Sequence, residues 1–364
     1  MLETSQLMKP ISGNNKVYNI TGVMSGTSMD GLDIAACEFT RKDQGWRFRI
    51  IAAETVRYPE DLAAKLDKSF SMEPTDLVRL DRQYGDFIGQ KVAGFHHKHV
   101  FHPELIASHG HTVFHRPNEG YTFQIGHGAN IAAQSGVPVA FDFRSSDVAY
   151  GGEGAPLVPF GDHHLFGSYD YCLNLGGFTN ISFDLQGTRM AGDICPLNIV
   201  TNRIARMMGL PYDPDGENGK KGQILYNLLD ELNQLSFYIQ PIPRSLGREF
   251  IEEVIWPLLT NYASQPENLL CTWYEHAAMQ IGLFLKGDGN VLVTGGGAYN
   301  SFFIERLKTY SESAIVVPDE LLINYKEAVI FAFLGLLRLR EEPNCFGSVT
   351  RASKDATCGM ICLP

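Results

Sequence analysis

The chain has 364 residues, 44% hydrophobic and 20% charged, with a net charge of −11; this length predicts about two domains, each with its own core. The negative balance excludes a nucleic-acid binder, which needs a basic footprint on phosphate, and the longest apolar stretch, residues 328–337, is roughly half of what a bilayer crossing requires. Seven scattered cysteines without C-x-x-C spacing, and a polar start lacking a signal-peptide pattern, predict reduced thiols, no disulfides and a cytoplasmic protein.

Residues 17–23 and 32–39, rich in β-branched and apolar side chains, predict two strands of one sheet. Between them "MSGTSMDG" crowds glycines, hydroxyls and aspartates into one turn. Glycine lets backbone N–H groups turn inward onto a bulky anion, Thr27 and Ser28 add hydroxyls, and Asp30 or Asp33 can hold Mg²⁺ through water. The competing reading is a hairpin whose glycines serve turn geometry alone. Residues 57–100 predict helices, with Leu77, Leu80, Tyr84, Phe87 and Ile88 on one face.

Residues 106–160 are dense in Gly, His, Asp and Pro and predict a long working loop. "YDYCLNLGGFTNISFDL" (169–185) repeats the strand, glycine turn, strand design. "NVLVTGGGAYNSFFIERLKTY" (290–310) predicts a buried strand, a triple glycine, Asn300 as a cap and a helix. Of the eleven histidines, the 96–102 cluster is expected at a helix end and the 109–111 pair at a turn near substrate, because neither has the spacing of a zinc site. No P-loop or protein-kinase motif occurs. Three glycine turns at strand ends instead point to nucleotide held between two domains, as in the actin, sugar-kinase and Hsp70 type of cleft.

"MSGTSMDGLD" (24–33), "SHGHTVFH" (108–115), "TFQIGHGANIAAQSGVPVAFDFRSSDVAYGGEGAPLVP" (122–159), "LNLGGFTNIS" (173–182) and "TGGGAYN" (294–300) occur in this order. Together they resemble the anhydro-N-acetylmuramic acid kinase family from about residue 20 to the end. The resemblance implies an α/β, two-lobed actin-like ATPase (ribonuclease H-like) fold with a nucleotide cleft between the lobes, here expected at 17–145 plus 341–364 and at 146–340. It also implies ATP and Mg²⁺, a homodimer, and a reaction in cell-wall recycling. There, water opens the 1,6-anhydro bridge of the sugar while O6 is phosphorylated, giving N-acetylmuramate 6-phosphate.

Carried over residue by residue, the resemblance puts ATP phosphates on Gly26, Thr27, Ser28, Met29, Asp30, Gly31, Leu32 and Asp33 and on Gly176 and Gly177, with Gly295, Gly296 and Gly297 toward the adenosine. Asp147 matches the base that activates water, with Asp142 its nearest rival. Arg144 either neutralises the transferring phosphate or the lactyl carboxylate, or makes a structural ion pair. His109 and Gly110 are placed near substrate, Glu327 matches a glutamate near the sugar, and Arg244 and Ser245 fall on a segment that faces it. The chain departs from the family pattern at His111, Glu153, Cys195-Pro196-Leu197 and Arg351; Glu153 adds a negative charge beside the expected base. Two other readings keep the motifs: a kinase of an unbridged amino sugar, and a non-catalytic sugar or nucleotide sensor.

Overall fold

The computed structural model describes residues 16–25, 31–43 and 45–364. They form two compact units, one running up to Leu165 and resuming at Tyr325, the other Phe166–Asn324.

In the first unit, β1 (Val17–Ser25), β2 (Leu32–Lys42) and β3 (Gly45–Val56) form an antiparallel meander. Next come β4 (Leu105–Ser108), a hairpin of β5 (His111–Arg116) and β6 (Tyr121–Ile125), and β7 (Val139–Phe141). Strands β4 and β7 extend the meander in parallel, and the closing strand Met360–Cys362 lies antiparallel to β7, giving the order 360–362, β7, β4, β1, β2, β3. One face is covered by the helices Pro74–His99 and Gly128–Ser135. Apolar side chains at helical spacing, from Leu77, Leu80, Tyr84, Ile88, Val92 and Phe95, meet Val23, Ile34 and Ile106 of the sheet. Each such fully buried side chain contributes about 1.5–3 kcal/mol.

The other face takes helical residues 325–339. Glycine is required where this helix meets the sheet: a Cβ on Gly22 would fall 1.8 Å from the Ala328 carbonyl oxygen. This packing explains why the unit boundaries lie at 165 and 325 rather than at the expected 145 and 341. The apolar helix belongs to the sheet it covers, with Phe333 against Phe39 at 5.7 Å between ring centroids.

The second unit repeats the plan. Strands β8 (Tyr171–Leu175), β9 (Phe178–Leu185) and β10 (Thr188–Pro196) form a meander, extended in parallel by β11 (Asn290–Thr294) and β12 (Ala314–Val316), in the order β10, β9, β8, β11, β12. The helix Pro266–Gly282 runs through its core, with Trp273, Ala277 and Ile281 at zero exposure. A meander extended by parallel strands, occurring twice, is the duplicated ribonuclease H-like topology of the actin-like class.

Among the described residues no helix is long and apolar enough to cross a membrane. All seven cysteines are free. The 96–102 histidines close the helix Pro74–His99 as expected, His96 lying 2.8 Å from the Thr21 hydroxyl. The expected loop at 106–160 is more ordered than its composition suggests, holding β5, β6, the helix Gly128–Ser135, β7 and the helix Ser145–Ala149.

Candidate active site

Functional groups of open α/β sheets gather at the carboxyl ends of parallel strands, and each unit follows this rule. In the first, Ser25 ends β1, His109 follows β4 and Asp142 follows β7. Residues Gly26, Thr27, Ser28, Met29 and Asp30, expected on phosphate and metal, lie outside the described residues. Both feet of their turn are tied down: the Tyr58 hydroxyl donates to Ser25 Oγ at 3.0 Å, and Thr55 Oγ1 donates to Asp33 Oδ1 at 2.6 Å. Gly31 has φ +157°, and a Cβ there would lie 2.7 Å from the Val56 carbonyl oxygen. Leu32 is fully buried in the core and contributes packing at this foot.

The residues predicted near substrate come together. Arg144 donates through Nε (3.1 Å) and Nη2 (2.8 Å) to Nε2 of His109, and through Nη1 to the Gly154 carbonyl at 2.8 Å. Since a guanidinium only donates, His109 must accept there and is neutral. Burial, reinforced by the Arg144 charge, holds its pKa well below the usual histidine value. Burial also lowers Arg144, to about 10, against support from Glu327, so it stays charged at neutral pH. Gly110 adopts φ +75° at this turn.

Glu327, half-buried, is pushed up by burial; Lys326 and Arg144 oppose the rise, whereas Asp33 and Asp162 add to it. Ser108 Oγ, which sequence reasoning missed, is buried without a hydrogen-bond partner among the described residues.

Asp147, the expected base, is enclosed in this structure. It is at zero exposure, with Oδ1 accepting from Thr350 Oγ1 at 2.7 Å and Cys345 Sγ at 3.3 Å, and Oδ2 from the Gly154 N–H at 2.7 Å. These bonds pin the loop 151–154 to the 345–350 segment and fix the direction of the carboxylate. Asp142 is half-buried at φ +53°, and its Oδ1 accepts the Ser145 N–H at 3.2 Å at the start of the helix Ser145–Ala149. Two departures answer each other: Arg351 reaches Glu153 at 2.7 Å, so the added negative charge is paired.

In the second unit the other two glycine turns meet. Strands β8 and β11 are parallel neighbours with Asn174 opposite Thr294, so Gly176–Gly177 and Gly295–Gly297 leave the same sheet edge side by side. Gly295 has φ +83°, and a Cβ on it would strike Asn174 Oδ1 at 2.3 Å; one on Gly297 would meet Leu175 Cβ at 2.8 Å. Around Gly296 and Gly177 a Cβ would meet nothing nearer than 3.8 Å, leaving backbone open to a ligand. Asn198 Nδ2 donates to the Leu175 carbonyl at 2.9 Å and heads the helix Asn198–Met207. Thr294 Oγ1 is buried with no hydrogen-bond partner among the described residues.

A carboxylate that sequence reasoning passed over stands on β10. Asp193, half-buried, faces Asn180 of β9, with a bulge between it and Cys195 that re-aims the strand. The chain then returns to the glycine turn, where the Leu197 N–H reaches the Gly177 carbonyl at 2.8 Å. Burial raises the Asp193 carboxyl above the usual range, opposed by the Leu246 amide, the Arg244 charge and the Ser245 hydroxyl. A carboxylate with a raised pKa at a strand end beside a phosphate-type turn is a functional candidate. The signal available in the sequence was its place three residues before the departing Pro196. Arg244 itself is buried and turned to main chain rather than outward.

Among the described residues no group of three or more His, Cys, Asp or Glu side chains is arranged to hold a metal ion. Asp33, at the foot of the first glycine turn, is a carboxylate of the type that holds Mg²⁺ through water.

The family model described as anhydro-N-acetylmuramic acid kinase matches residues 18–364. Proteins named anhydro-N-acetylmuramic acid kinase are 32% identical in Haemophilus influenzae, over 96% of this chain and 98% of that protein, and 34% identical in Shewanella pealeana, over 96% and 99%. A ROK family glucokinase from Streptomyces griseus, solved with glucose and AMPPNP, aligns over 87% of this chain and 99% of its own at 14% identity and a TM-score of 0.41, a likeness too low to bear on function.

Proposed function

The chain belongs to the anhydro-N-acetylmuramic acid kinase family, and from that premise we propose that it transfers the γ-phosphoryl of ATP to O6 of 1,6-anhydro-N-acetylmuramate while water opens the bridge at C1. ATP, water and the anhydrosugar give ADP, N-acetylmuramate 6-phosphate and a proton. The observation that carries this reading is the family match across nearly the whole chain, with every glycine turn present.

The chemistry needs a base on water, donors for phosphate and a group for the sugar's carboxylate. Asp147 is our candidate for the base: the resemblance matches it to that role, and its hydrogen bonds to Gly154, Thr350 and Cys345 hold the carboxylate in one direction. Its proton acceptance generates the nucleophile as C1–O6 breaks, and O6 meets the phosphoryl in line. The open backbone at Gly177 and Gly296 and the unpartnered Thr294 hydroxyl suit phosphate and nucleoside oxygens. Arg144, charged and facing no carboxylate at ion-pair distance among the described residues, suits the lactyl carboxylate or the transferring phosphate. Bound Mg²⁺, for which Asp33 and Asp30 are the candidates, would neutralise charge on the phosphates.

The test incubates the protein with Mg-ATP and, separately, anhydro-N-acetylmuramate, N-acetylmuramate and N-acetylglucosamine, following ADP release and sugar phosphate by mass spectrometry. Phosphorylation of the bridged sugar above the others supports the reading. Preference for an unbridged sugar, or binding without ADP release, overturns it in favour of an ordinary amino-sugar kinase or a sensor.

A further inference from the structure

The two oxygens of the buried Asp147 carboxylate are treated differently. Oδ1 takes two side-chain donors, the Thr350 hydroxyl at 2.7 Å and the Cys345 thiol at 3.3 Å, which fills its lone-pair sites. Oδ2 accepts only the Gly154 N–H, at 2.7 Å, among the described residues, and so keeps room for one more proton. The Gly154 carbonyl in turn accepts from Arg144 Nη1 at 2.8 Å, so the Oδ2 side of the carboxylate is the side linked to that guanidinium. No side chain can crowd Oδ2 from the neighbouring loop, because a Cβ on Gly152 would fall 2.2 Å from it.

The donors on Oδ1 are themselves held. Asn344 Nδ2 donates to the Leu334 carbonyl at 3.0 Å and the Cys358 carbonyl at 2.9 Å, tying the 344–350 segment to the helical residues 325–339. Cys345 exchanges main-chain bonds with Ala356, at 3.2 and 3.1 Å. Its contact with Cys358, burial and the Asp147 charge keep it a neutral thiol, able to donate. Thr350 also lies 3.2 Å from the Phe346 carbonyl, but its single proton goes to the nearer, charged oxygen. The loop 151–154 is tied independently of these side chains, the Glu153 N–H donating to the Thr350 carbonyl at 2.7 Å. Among the described residues no cation lies at ion-pair distance from Asp147, and a buried carboxylate so placed is a costly way to tie a loop that main chain already ties.

We propose that Thr350 and Cys345 are positioning residues for the reaction: they hold Oδ1 of Asp147 and leave Oδ2 as the oxygen that takes the proton from water. The inference rests on the reading of Asp147 as the base. Thr350→Val keeps the shape and loses the donor; kcat falls about 10- to 100-fold, the cost of a misdirected group, with KM for ATP unchanged. Thr350→Ser keeps the donor and restores kcat to within about threefold of the parent. Cys345→Ala lowers kcat by about 3- to 10-fold, the size of one weak hydrogen bond.

Thermal melts set the assay temperature well below each transition, and Asp147→Asn is measured alongside. A normal kcat in a folded Thr350→Val protein, or equal losses in Thr350→Val and Thr350→Ser, overturns the inference. Should Thr350→Val fail to fold, Cys345→Ala decides alone, an unchanged kcat overturning the proposal. Wild-type activity in Asp147→Asn sinks the base assignment itself, whereas an inactive Asp147→Asn with normal kcat in Thr350→Val and Cys345→Ala sinks only the positioning role.

Discussion

Replacing Asp147 separates a structural carboxylate from a chemical one. In Asp147→Ala the Gly154 N–H loses its acceptor at 2.7 Å, which costs about 1–3 kcal/mol for a buried unpaired donor. The Thr350 hydroxyl loses a bond to charge, worth about 1.5–3 kcal/mol, partly recovered because it also faces the Phe346 carbonyl at 3.2 Å. Together the loss is about 3–5 kcal/mol, or roughly 6–20 °C in Tm for a unit of this size. Asp147→Asn keeps one acceptor oxygen for Gly154, and the Thr350 hydroxyl can turn to accept from the new amide, so its loss is about 1–3 kcal/mol. Differential scanning calorimetry with kcat measured well below each variant's melting transition reads both quantities. The expected result is a destabilised Asp147→Asn protein whose kcat falls by about 10²- to 10⁴-fold, the size of a lost general base. A destabilised protein that turns over within a few-fold of the parent would refute the base assignment and leave the carboxylate a structural role alone.

Asp193→Asn should leave stability intact or raise it. Its carboxyl is raised on folding, so the stability it contributes is present below the unfolded carboxylate value and is lost as pH rises through the folded one; at pH 7 the asparagine variant melts at or above the parent, and the difference shrinks toward pH 4. Gly295→Ala puts a Cβ 2.3 Å from Asn174 Oδ1 at φ +83°; KM for ATP should rise about tenfold or more, with a stability loss of about 1–3 kcal/mol, and an unchanged ATP titration would contradict the placement of nucleotide there. The pair Glu153–Arg351 is largely exposed, so a double-mutant cycle of Glu153→Gln with Arg351→Gly should give a coupling of about 0–1 kcal/mol; a coupling above about 2 kcal/mol would mean that the pair holds the loop as firmly as Asp147 does.

Much of this architecture is legible in the residues, because turn chemistry and periodicity are local. Asn300 caps its helix as its position before Ser301 suggests, Oδ1 accepting the Phe303 N–H at 2.8 Å. The runs flanking the first two glycine turns are the strands expected of them, and Leu77, Leu80, Tyr84 and Ile88 share a buried face. What the residues do not carry is what surrounds each carboxylate. Asp147 sits in a dense glycine and proline stretch that looks functional, and Thr350 and Cys345, about 200 residues on, close over it. Asp193 occupies an unremarkable strand, and the Leu246 N–H that meets its carboxylate is again distant in sequence. The same distance in sequence governs the unit boundary: residues 325–339 follow the second unit in the chain but cover the first unit's sheet.

The measurement that tests the central claim most directly is turnover of 1,6-anhydro-N-acetylmuramate with Mg-ATP in ¹⁸O-water, read by mass spectrometry of the sugar. The account predicts a 6-phosphorylated product carrying one heavy oxygen at C1, absent with Asp147→Asn. A phosphorylated sugar without heavy oxygen, or no product from protein that binds both substrates, would contradict hydrolytic opening coupled to phosphoryl transfer.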